Sequence, residues 1–109
     1  EGVHKRGLPL PALVRMVSGN PARIFGLYPQ KGAINPGFDA DLVVVDPDAE
    51  WTLTADELFY KNKHSAFEGY RFKGRVEQTF VRGKPVYQSG RIVAQPGYGI
   101  ALRRQGVYA

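Results

Sequence analysis

His4 and His64 are the first side chains to weigh as metal ligands or general bases. They lie far apart in the chain. Neither falls in a His-x-His, His-x-x-x-His or His-Glu pattern that would bring two imidazoles onto one ion. Each reads as a loop residue. Asp39 and Asp41 flank a single alanine, so on a strand both carboxylates would project from one face. That spacing suits a divalent cation or an acid–base pair. They follow the Asn35-Pro36-Gly37 turn and precede a strand, however, where carboxylates commonly accept bonds from turn amides. No third acid follows at calcium-loop spacing, and capping is the reading taken. Asp46, Asp48 and Glu50 form a looser acidic run that Pro47 interrupts, the pattern of a solvated turn.

Nucleophiles are no better supplied. Ser18, Ser65 and Ser89 have no Gly-x-Ser-x-Gly elbow, and the one histidine beside them, His64 next to Ser65, is not in a nucleophile–base pattern. The glycines form neither GxGxxG nor GxxxxGK[ST], so no phosphate cradle is encoded. Tyr70, Arg71, Phe72, Lys73 and Arg75 interleave aromatics with bases, which can stack and clamp single-stranded nucleic acid. A strand with its aromatics inward and its bases outward explains the same alternation. No catalytic, metal-binding or substrate-binding residue is therefore assigned.

The elements that would position these residues are legible from periodicity. Leu10, Leu13, Val14 and Val17 recur at helical spacing, and Pro11 places the helix start near Leu10. Ser18-Gly19 is expected to end that helix. Asn20 is expected to cap a second one, with Pro21 at its first position and Gly26 closing it. Short strands are expected at Ala33-Ile34, at Leu42–Val45 (stopped by Asp46-Pro47) and at Trp51–Leu53. Thr54 and Glu57 have capping-box spacing. Residues 61–75 read as a loop anchored by Phe67, Tyr70 and Phe72. Val76–Val81 and Lys84–Tyr87 bracket Arg82-Gly83 as a β-hairpin, with Pro85 at an edge or bulge. Beyond Gly90 the pattern fades into an arm anchored by Tyr98, Ile100, Leu102 and Tyr108.

Composition bounds the rest. The 109 residues make one small domain at most, and no apolar run approaches the roughly 20 residues of a membrane span. Without cysteine there is no disulfide framework and no thiolate ligand, which fits a reducing cytoplasm. The net charge of +5 is unevenly placed: Arg82, Lys84, Arg91, Arg103 and Arg104 have no acidic counterpart after Glu77. A basic tail of that low density reads as docking on an acidic protein surface, not on nucleic acid or a membrane. The chain begins at Glu1 and has its only methionine at Met16, from which a truncated piece is expected.

Three segments together resemble one family. PALVRMVSGNPARIFGLYPQKG, INPGFDADLVVVDP and KNKHSAFEGYRFKGRVEQTFVRGKPVY are similar, in this order, to the C-terminal region of cyclic-amide hydrolases of the amidohydrolase superfamily. These are the hydantoinases, dihydropyrimidinases, allantoinases and dihydroorotases. LYPQKG and LRRQGVYA lean to hydantoinase, whereas YKNKHS leans to allantoinase or dihydroorotase. The resemblance implies a parent with a (β/α)8 barrel holding two divalent metals, usually zinc. A His-x-His pair, a carboxylated lysine, two further histidines and an aspartate bind them, and a bridging hydroxide attacks the ring amide. In family order all of those residues precede Glu1, so none carries over to a position here.

The implied fold class is an α+β fragment. Residues 1–28 would be the helical end of the missing barrel, 29–90 a small β-rich, sandwich-like domain, and 91–109 an extended basic arm. The implied partners are the missing N-terminal barrel and further copies in a homo-oligomer, with no nucleic acid and no membrane. The chain alone is expected to be inactive. A stand-alone β-rich assembly module and a basic nucleic-acid-binding domain are the alternatives.

Overall fold

The computed structural model describes residues 1–103; Arg104 and Tyr108, expected in the arm, lie outside the described residues. An N-terminal helical stretch is followed by a four-stranded antiparallel meander of order β1-β2-β3-β4. No helix among the described residues is long and apolar enough to cross a membrane.

The helical stretch comprises α1 (Leu10–Val14), a π-helical turn (Arg15–Gly19) and α2 (Asn20–Ile24). It starts at Leu10, as Pro11 requires. The expected break at Ser18-Gly19 does not occur. Gly19 and Asn20 both hold helical dihedrals, and Asn20 makes no side-chain cap. Pro21 is the physical reason. It has no N–H for the carbonyl four residues back, and its ring crowds that carbonyl. Widening the preceding turn relieves both problems, and the Asn20 N–H reaches the Arg15 carbonyl five residues back. One helix with a π-turn thus replaces the expected two. Gly26 closes it at φ 68°, with Leu27 and Tyr28 donating to the Ala22 carbonyl at 2.7 and 3.0 Å.

No strand forms at Ala33-Ile34; this segment is a bend on the way to the sheet. β1 (Leu42–Thr52) is longer than expected, because Pro47 does not stop it. The strand bulges there instead. Asp46 pairs with Arg75 and Glu50 with Lys73, so residues 47–49 bow out opposite Gly74. The Asp46 carboxylate accepts from the Asp48 and Ala49 amides at 2.9 and 3.1 Å, turning the bulge. Pairing resumes at Trp51, whose ring stacks on Phe72 at 5.0 Å and whose Nε1 donates to the Gly74 carbonyl at 2.9 Å. The strand expected at Trp51–Leu53 is the far end of β1.

Thr54 precedes a 3-10 turn (Ala55–Glu57) that Glu57 ends, and the Thr54 N–H donates to the Glu57 carboxylate at 3.2 Å. β2 (Arg71–Val81) begins earlier than the expected loop allowed, since Arg71, Phe72 and Lys73 pair with Thr52, Trp51 and Glu50. Arg82 and Gly83, at φ 48° and 78°, make the anticipated tight turn into β3 (Lys84–Gln88). Thr79 faces Tyr87 while Phe80 faces Pro85, leaving Val86 as the bulged residue beside the proline. Ser89-Gly90, at φ 44° and 86°, turns the chain again into β4 (Arg91–Ile92), a strand with no sequence signal.

The core is thin. Ala22, 5% exposed, is the one buried apolar residue among those described. The radius of gyration is 16.1 Å, against about 13 Å for a compact domain of this length. Met16, Val17, Ile24, Phe25, Ile34 and the Val43–Val45 run all present broad apolar surface to solvent. A monomer rarely leaves that much uncovered, and such patches mark interaction sites.

Candidate functional site

The polar centre of the chain is a lysine. The loop after the helix delivers Lys31 beside the start of β1, where it bridges both suspected carboxylates. Its ammonium lies 2.7 Å from the Asp39 carboxylate and also pairs with Asp41. Gln30 Nε2 donates to Asp39 at 2.9 Å, and the Asp39 N–H returns to the Gln30 carbonyl. The other oxygen of Asp41 accepts the Arg82 N–H at 2.9 Å, and the Gly83 N–H reaches the Ala40 carbonyl. Helix exit, strand start and hairpin turn are thereby tied together.

The electrostatics follow from these contacts. Partial burial pulls the Lys31 ammonium toward deprotonation, but its bonds to Asp39 and Asp41 outweigh this and hold its pKa above the ordinary value. Hydrogen bonds from Lys31 and then Gln30 hold the Asp39 carboxyl below the ordinary carboxylate range. Lys31 and Gln30 both bond the same oxygen of Asp39, while the two oxygens of Asp41 are divided between Lys31 and the Arg82 amide. Asp41 accepts a turn amide, from Arg82, whereas Asp39 accepts from the Lys31 and Gln30 side chains, partners that spacing alone did not reveal.

The remaining candidates are dispersed. His4 Nε2 lies 2.8 Å from the Pro47 carbonyl, and His64 offers its own carbonyl to the Tyr60 hydroxyl. Asp48 and Glu50 pair across the sheet with Lys73 and Arg71, and Glu57 pairs with Arg75 at 3.0 Å. Every base of the Arg71, Lys73, Arg75 series therefore already has a carboxylate partner. Ser65 accepts from the Phe67 amide in a local turn. Among the described residues no three His, Asp or Glu side chains converge to hold a metal. The donors present thus do not fit the metal centre of a metal-dependent hydrolase, and no chemical step is derived through one.

One open cleft of about 340 Å³ lies on the sheet, walled by Trp51, Leu53, Phe59, Val76 and Tyr87. Phe59 and Tyr87 meet edge to face at 6.1 Å, and the Arg75 guanidinium sits 5.2 Å from the Trp51 ring centre. Of its charged groups, Glu57 and Arg75 pair with each other, and Asp56 lies beside them.

The meander is thus tied at one end to the helix exit through Lys31, Asp39 and Asp41. Its sequence matches the model of the amidohydrolase family over residues 2–86. An allantoinase from Rubrobacter xylanophilus is 45% identical over 96 residues, which is 88% of this chain and 21% of that enzyme. A D-hydantoinase from Streptomyces coelicolor is 44% identical over 86 residues, 79% of this chain and 18% of that enzyme. A solved D-hydantoinase structure superimposes with a TM-score of 0.90 at 36% identity, covering 94% of this chain and 22% of that one. The chain belongs to the amidohydrolase family. It spans about a fifth of the length of these relatives.

Proposed function

We propose that this chain is the C-terminal structural portion of a metal-dependent hydrolase of cyclic amides, inactive on its own. Hydantoin, allantoin and dihydroorotate are the ring types the reading admits. The carrying observation is a mismatch of scale. The likeness runs through nearly the whole chain yet spans about a fifth of the relatives. What the chain itself holds in place is loops and turns, not reacting groups. On this reading residues 1–28 finish the wall of a barrel, 29–90 form part of a small β-domain, and 91–109 form a basic arm. Two divalent metals, usually zinc, belong to the remaining polypeptide. The exposed apolar helix and strand surfaces are the faces that meet it, and whole enzymes assemble as homo-oligomers.

The test is turnover of hydantoin, allantoin and dihydroorotate with added zinc. The chain alone should give none. Co-expression with the remaining polypeptide should restore ring opening. Turnover that scales with the isolated chain overturns the proposal.

A further inference from the structure

Among the described residues, the helical stretch from Leu10 to Ile24 does not pack directly on any strand of the sheet. Its place relative to the sheet is therefore set by the segments at its two ends. After the helix, Lys31 is tied to Asp39 and Asp41 at the start of β1, and Asp41 to the Arg82 amide of the hairpin turn. One such tie leaves the helix free to swing about it. Before the helix, residues 1–8 form a compact turn. The Lys5 and Arg6 amides donate to the Glu1 carbonyl at 3.0 and 3.1 Å, and the Leu8 amide to the Gly2 carbonyl at 2.9 Å. Pro9 then holds φ at −58° immediately before α1, so little freedom separates the turn from the helix.

This turn stands on the sheet at two points. His4 Nε2 lies 2.8 Å from the Pro47 carbonyl, and because a carbonyl only accepts, Nε2 carries the proton there. Pro47 sits in the bulge of β1, without a register partner in β2. Three residues before His4, the Glu1 carboxylate accepts from the Tyr70 hydroxyl at 2.9 Å, and the Lys5 ammonium holds the same oxygen at 2.6 Å. These two bonds, that from Lys5 first, bring the Glu1 carboxyl down to about 2, so it is ionised at neutral pH. Tyr70 is itself anchored: its ring lies 4.9 Å from that of Phe72, which stacks on Trp51 at 5.0 Å. Each exposed contact contributes little by itself. Carried on one preformed turn, the second closes without the entropic cost of bringing its partners together.

We propose that residues 1–8 are a strap that, together with the Lys31 junction, fixes the angle of the helical stretch against the sheet, with the Pro47 bulge as its seat. The strap is a property of this chain and does not rest on the proposed function. The chain has no cysteine, so a pair can be introduced for spin labels without interference. Met16→Cys on the helix and Ile92→Cys on β4 are both at exposed positions and report the angle as a distance distribution by double electron–electron resonance. Labelled chain is diluted into unlabelled chain, so that only distances within one copy are read. Val43→Cys with Ile92→Cys, both within the sheet, is the control pair. His4→Ala combined with Tyr70→Phe removes both feet of the strap. This change should widen the helix–sheet distribution about two-fold or more and leave the control pair as it was. A helix–sheet distribution of unchanged width overturns the proposal. So does one already as broad before the substitutions as the control pair is narrow. Equal widening of both pairs assigns the contacts to the stability of the sheet itself and also overturns it.

Discussion

Gly32 lies directly against Ala22: a Cβ built on the glycine would fall 2.5 Å from the alanine Cβ. Its φ of 98° is closed to L side chains as well. This contact seats the loop after the helix on the one buried apolar side chain described, and so places Lys31. Gly32→Ala should destabilise the fold by about 2–3 kcal/mol, from strained backbone plus overlap. A lowered urea midpoint with unchanged slope checks it. Ala22→Gly on the same background should recover part of the loss, because it removes the atom that clashes.

The Lys31 junction has a pH signature. Asp39 has its carboxyl lowered in the fold, so it stabilises above its ordinary value of 3.8 and the contribution is lost as pH falls through the folded value. Lys31 is raised, so its contribution is full below 10.5 and is lost as pH rises through its folded value. Wild type should therefore hold its unfolding midpoint between these limits and lose it outside them. Lys31→Met should lower the plateau, since two carboxylates then crowd without a counter-ion, and should flatten both limbs. Midpoints measured from acid to alkaline pH decide this. A variant with the wild-type profile would remove Lys31 from its role as tie.

Tyr98 folds the start of the C-terminal stretch back onto its own hairpin. Its hydroxyl donates to the Val81 carbonyl at 2.8 Å, and the Arg82 guanidinium lies 4.4 Å from its ring and bonds its carbonyl. Tyr98→Phe keeps the ring and loses one hydrogen bond, about 1 kcal/mol. Amide exchange over residues 93–98 should quicken about five-fold, while β1 and β2 are unaffected. Tyr98→Ala also removes the cation–π contact and should quicken it further. Equal rates in all three proteins would show that the stretch is held by something else.

How much of this was readable depends on how local each determinant is. The Arg82-Gly83 turn, the bulge at Pro85, the Thr54–Glu57 cap and the Gly26 stop depend on two to four neighbouring residues, and their sequences announce them. The misreadings at Gly19 and Pro47 share a cause. Both residue types break regular structure in isolation, and both are absorbed by a defect that leaves the element running. Pro21 forces a π-turn that carries the helix through Gly19. At Pro47 the Trp51–Phe72 stack, set by a distant strand, rewards resumed pairing beyond a bulge. β4 has no local signal, since Arg91 and Ile92 become a strand only because β3 lies alongside. Asp41 was legible as an acceptor for a turn amide, but that amide belongs to Arg82, remote in sequence, and Asp39 accepts from side chains instead.

Ile24 and Phe25 end the helix 71% and 67% exposed, with Val17 and Met16 a turn or two before them on equally bare surface. No charged side chain interrupts the pair, and Arg23 beside them is turned onto the Tyr28 ring at 4.3 Å and the Gly19 carbonyl. An apolar helix end of this kind needs a cover. Without the remaining polypeptide, other copies supply one by default. The isolated chain should therefore self-associate with rising concentration in light scattering. Phe25→Glu places a charge in that contact and should weaken association by about 1–2 kcal/mol, roughly ten-fold in dissociation constant. Glu68→Gln, on a distant loop, serves as the control and should change nothing. The same Phe25→Glu change should impair assembly with the remaining polypeptide, because both partners would use one face. A monomeric wild-type chain at high concentration would show that this helix end tolerates water.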